Sequence, residues 1–95
     1  MAEEKMLTLH PRSKTGRNIS KEKYNTLKKA FLHVLSKKAL THDELFTALY
    51  ERLEGKFDGN IGWYGETVKL DLETRKIIER TAEKPQKYRL LTNLS

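Results

Sequence analysis

Apolar residues recur at helical spacing between Tyr24 and Leu35. Tyr24, Leu27, Phe31, Val34 and Leu35 share one face, while Lys21, Lys28, Lys29, His33 and Lys37 point elsewhere. This pattern predicts an amphipathic first helix. Ser20 stands ahead of it as an N-cap, with Ile19 and Tyr24 placed as a hydrophobic staple. A second helical pattern opens at residues 40–41. Thr41 and Glu44 have the spacing of a capping box, and Leu40 and Leu45 that of a second staple. Leu45, Leu49 and Leu53 mark its buried stripe, with Phe46 and Tyr50 beside it, and Gly55 is placed as its C-terminal cap. After a turn over residues 56–60, a third helix is expected over residues 61–75. At about 100° per residue, Ile61, Gly65, Val68 and Leu72 share its inner face and Tyr64 flanks it. Glycine inside a helix costs about 1 kcal/mol relative to alanine. Gly65 is therefore read as a point of close approach to a neighbouring element.

The pattern then changes to that of a hairpin. Residues 77–82 read as one strand, 83–86 as the tip and 87–91 as the return, with Ile78, Tyr88 and Leu90 facing inward. At the other end, residues 6–9 alternate weakly and suit a short strand or an extended packing segment. Pro11 favours extended backbone at His10. Residues 12–17 are polar and basic and read as a solvated, mobile loop. They lack the glycine spacing and lysine position of a nucleotide-binding loop. The organisation expected is a basic N-terminal arm over residues 1–17 and one domain over residues 18–95.

Three helices followed by a two-stranded hairpin resemble a winged helix. Val68, Leu72 and the run Ile77-Ile78-Glu79-Arg80 look like the end of the recognition helix in bacterial winged-helix regulators. In those proteins a leucine lies four residues before the helix end and a pair of aliphatics starts the wing. Glycine usually ends that helix; here Lys76 holds the place. The whole chain also resembles a family of small uncharacterised bacterial proteins with a winged-helix-like fold. The residues carrying that resemblance are Leu9-His10-Pro11, Lys14, Gly16, Asn18-Ile19, Lys23-Tyr24, Phe57-Asp58-Gly59, Ile61-Gly62-Trp63-Tyr64 and Val68-Lys69-Leu70-Asp71-Leu72-Glu73. The implied fold is α+β: a three-helix core, a C-terminal two-stranded β wing and a short N-terminal extended segment. The resemblance implies no particular activity.

Charge alters the functional expectation. The chain has 95 residues and a net charge of +6, which permits contact with nucleic acid without requiring it. The excess lies on the first helix, the arm and the hairpin. Residues 21–38 hold six basic groups against one acidic; residues 39–58 hold two against five. The two helices that would form a helix-turn-helix are thus acidic or neutral.

The outward face of the third helix carries Trp63, Glu66, Leu70 and Glu73, with Lys69 and Thr67 on its flanks. A helix in the major groove needs Arg, Lys, Asn, Gln, Ser or Thr at the base edges, and carboxylates oppose the phosphates. Trp63 and Leu70 form an apolar pair where water is expected. Three covers are open to that pair: residues 6–9 of the same chain, a protein partner or second copy, or a stacked nucleic-acid base.

Two functional expectations follow. The first is weak, salt-dependent nucleic-acid binding through Arg12, Lys14, Arg17, Lys28, Lys29, Lys84, Lys87 and Arg89, contacts that position a protein without reading sequence. The second is a protein-interaction or homodimerisation module centred on Trp63, Glu66 and Leu70. Catalysis is not expected. His10, His33 and His42 are scattered, no metal-ligand spacing occurs, and Ser13, Ser20 and Ser36 lack a recognisable base. No cofactor or metal is expected. The absence of cysteine excludes disulfides and thiolate metal sites. No apolar run approaches the roughly 18 residues of a membrane span, and the N-terminus lacks the apolar stretch of a secretory signal. A cytoplasmic protein of bacterial style, without membrane contact, is the expectation.

Overall fold

The computed structural model describes residues 4–9 and 15–91. Its elements in chain order are β1 (Lys5–Leu9), β2 (Thr15–Ser20), α1 (Lys21–Leu35), β3 (Leu40–Thr41), α2 (His42–Leu53), α3 (Ile61–Thr74), β4 (Ile78–Arg80) and β5 (Lys87–Leu90). The fold is α+β, with three helices and two small antiparallel sheets. This layout is compatible with a winged-helix-like arrangement.

The helix boundaries form where local chemistry predicts. The Ser20 hydroxyl accepts from the Lys23 amide at the start of α1. Thr41 and Glu44 make both bonds of the capping box at the start of α2. The Asn60 side chain accepts from the Trp63 amide at the start of α3. Gly55 follows α2 at φ 76°, a left-handed conformation that glycine takes without strain. Both staples close, since Ile19, Tyr24, Leu40 and Leu45 are all buried.

The core gathers Leu27, Phe31 and Leu35 of α1, Leu45, Leu49 and Leu53 of α2, and Val68 and Leu72 of α3 under Ile78 and Tyr88 of the hairpin. Gly65 is where α3 meets α2. A Cβ there would stand 2.8 Å from the Phe46 ring, so only a bare backbone allows the approach.

Three features depart from the expectation. Residues 15–17 are not a mobile loop. They begin β2, which pairs with β1 in the registers Met6 to Ile19 and Leu7 to Asn18. β2 carries little apolar signal because it is a short, mostly polar strand, and Ile19 is its buried aliphatic. The ladder is irregular at Thr8. Its buried hydroxyl accepts from the Arg17 amide and donates to the Arg17 carbonyl, substituting for strand hydrogen bonds. Second, residues 40–41 form β3, which makes β5 the central strand of a three-stranded sheet, with Leu40 opposite Tyr88. Two residues are too few for a periodic signal. Third, α3 buries Lys69 and Asp71.

Candidate functional site

α3 is held by two buried polar clusters. Lys69, on the flank of the expected outer face, is buried. Its ammonium lies 3.0 Å from carboxylate oxygens of both Glu66 and Glu73, and 4.6 Å from the centroid of the Tyr88 ring. Burial pulls its pKa down, but the Glu73 and Glu66 carboxylates outweigh that and hold it above the ordinary lysine value. Glu73 also accepts from the Arg80 guanidinium at 2.6 Å, tying α3 to β4. In the second cluster, the Tyr24 hydroxyl of α1 donates to the buried carboxylate of Asp71, which also accepts from Arg75 at 2.9 and 3.0 Å. Burial, then the bond to Asp71, pushes the Tyr24 hydroxyl well above its ordinary pKa.

These contacts correct the reading of the outer face. Glu73 is largely buried and meets two cations, so it is not a free carboxylate facing water. Lys69, Arg75 and Arg80, cations on or beside α3, are ion-paired within the chain. Trp63 and Leu70 separate as well: Trp63 is 46% exposed, while Leu70 is half-buried. β1 packs against α3 yet leaves Trp63 open.

Trp63 begins a short chain of edge-on aromatic contacts. Its ring meets Tyr64 edge-on at 4.9 Å, and Tyr64 meets Phe57 edge-on at 5.5 Å. The Lys23 ammonium sits 5.0 Å over the Tyr64 ring. Tyr50 of α2 is also 46% exposed, and its hydroxyl would lie 2.9 Å from a Cβ at Gly62. Tyr50 therefore reaches the first turn of α3. Its helical spacing gave no sign of this, because the partner position is a glycine.

The expected nucleic-acid contacts are dispersed. Arg12 and Lys14 lie outside the described residues. Arg17 is exposed on β2, Lys29 is exposed and Lys28 half-buried on α1, and Lys84 is exposed at the hairpin tip. Lys87 opens β5 opposite Thr41. Together with Lys38 it adds a smaller pull to the backbone bond from Thr41 that holds the Glu44 carboxyl below its ordinary pKa. Arg89 is taken up by Glu79 across the hairpin.

An unexpected cationic group forms where α1 and α2 end. Lys37, Arg52 and Lys56 line one open cleft together with the His33 ring. The acidic balance of residues 39–58 concealed it, since Arg52 and Lys56 are the two basic residues of that stretch.

Among the described residues no helix is long and apolar enough to cross a membrane. No curated protein and no solved structure matches the chain. A family model does match, over residues 5–88, and is described as a family of unknown function, DUF6958. That span holds every described helix and all the strands up to the first half of β5, so the chain belongs to the DUF6958 family.

Proposed function

We propose that this protein is a binding module rather than an enzyme, and that it recognises another protein through the aromatic surface at the start of α3. The observation carrying this reading is Trp63, half-exposed with its ring edge-on against Tyr64, which in turn meets Phe57. A large ring held in one orientation loses little entropy on binding, and Trp and Tyr are the usual anchors of protein interfaces. Tyr50 reaches the same first turn of α3 at Gly62, and Glu66 lies one turn beyond Trp63. The same helix is poorly suited to the major groove, because Lys69, Arg75 and Arg80 are engaged within the chain.

Trp63 is the single tryptophan, so its fluorescence reports on this surface alone. A partner recovered with the wild-type chain should be lost with Trp63→Ala while the fold persists. Emission that shifts to the blue as the pure chain is concentrated would identify the partner as a second copy. A Trp63→Ala chain that retains its partners would refute the reading.

A second reading is favoured by the positive excess on α1. Lys28, Lys29, Arg17 and Lys84 form no ion pair among the described residues. Such groups neutralise phosphates without reading bases, so binding would be weak and steeply salt-dependent. Titration with duplex DNA at low salt tests it, and no binding there removes it.

A further inference from the structure

The C-terminal parts of α1 and α2 enclose an open cleft of about 440 Å³ that the aromatic patch does not include. Its floor is apolar: Val34, Leu40 and Ala48. Its rim carries His33 and Lys37 from α1 and Arg52 and Lys56 from the end of α2, against the single carboxylate of Glu51. Lys37, Arg52 and Lys56 are exposed and form no ion pair among the described residues. Basic side chains near helix C-termini complement the helix dipole. That explains one cation at each end, but not Lys37, Arg52 and Lys56 together beside an apolar strip.

We propose that this cleft binds an acidic, amphipathic peptide segment of a partner protein. The cationic rim fits carboxylates on the segment's flanks, and the floor fits its apolar side chains. The floor decides against the alternatives, because a phosphodiester strand or a free phosphate has nothing to bury on Val34, Leu40 and Ala48. The openness of the cleft decides against a small molecule, which would be largely enclosed. A chain segment laid between two helices, with apolar anchors one turn apart, matches both features.

The test is an NMR titration of the full chain with three probes. The first is a synthetic helical peptide bearing leucines four residues apart and flanked by glutamates. The second is the same peptide with glutamine for leucine, and the third is a short DNA duplex. The leucine peptide should move the amides of Val34, Leu40 and Ala48, and the glutamine peptide should move them far less. The double variant Lys37→Glu, Arg52→Glu should weaken binding at least about tenfold, as like charges then face each other. The neutral pair Lys37→Gln, Arg52→Gln should weaken it less and guards against loss of fold. Silence of the cleft to the leucine peptide overturns the proposal, as does equal response to the glutamine peptide or the duplex. The Trp63 indole, read in the same spectra, separates the two surfaces. A response there with a silent cleft leaves the aromatic reading standing and removes this one.

Discussion

Lys76 ends α3 in the left-handed conformation, at φ 64°. The Ile77 amide donates to the Leu72 carbonyl and the Lys76 amide to the Glu73 carbonyl, the paired bonds of a Schellman motif. A side chain in that conformation costs roughly 1–2 kcal/mol, and glycine returns part of the gain through its freer unfolded state. Lys76→Gly should therefore raise the unfolding free energy by up to about 1 kcal/mol, measured by denaturant titration. The glycine expected at this position was thus a sound guide to the helix end although the residue differs. Lys69 and Asp71 were harder to read. On the helical wheel Asp71 lies only about 60° from Val68, on the inner face. Its charge argued for water, and only the fold reveals Tyr24 and Arg75 as its partners. Lys69→Met should destabilise by about 2 kcal/mol, below the 3–5 of a fully stranded buried ion, because Arg80 still meets Glu73. The linkage to pH has a definite sign. Tyr24 and Lys69 have folded pKa values above their unfolded ones, so their stabilisation is complete below about pH 10 and falls as pH rises beyond it. Tyr24→Phe should reduce that alkaline loss, read as the slope of unfolding free energy against pH.

Helix ends were legible because each cap is a short-range device, satisfied within three or four residues. Strands β2 and β3 were not, because their partners are distant or their length too short. Leu40 pairs with Tyr88, and no local periodicity records it. The β1–β2 hairpin depends on Thr8, whose one hydroxyl serves both the amide and the carbonyl of Arg17. Thr8→Val keeps the shape and removes both bonds. It should lower stability by about 1–2 kcal/mol, the range for stranding buried polar groups. Amides of β1 and β2 should then exchange with solvent faster than those of α1, as hydrogen exchange would show.

Across the whole molecule, the charged groups of α3 hold the fold together. Lys69 and Glu73 tie α3 to β4 and β5, and Asp71 ties it to α1. The expectation that this helix reads DNA poorly starts from Trp63, Glu66 and Leu70 in the sequence. That Trp63 stands open while Leu70 is half-buried was not legible there, because it depends on how β1 and α2 pack against α3. The cationic cleft was equally hidden, since its members are separated by an acidic stretch. The proposal that α3 presents an aromatic surface and does not read DNA is tested by NMR titration of the full chain with duplex DNA at low salt. The Trp63 indole and the exposed amides of α3 should stay unmoved, with any response confined to α1, β2 and the hairpin tip. Saturable shifts along α3, centred on Trp63 and Glu66, would contradict it.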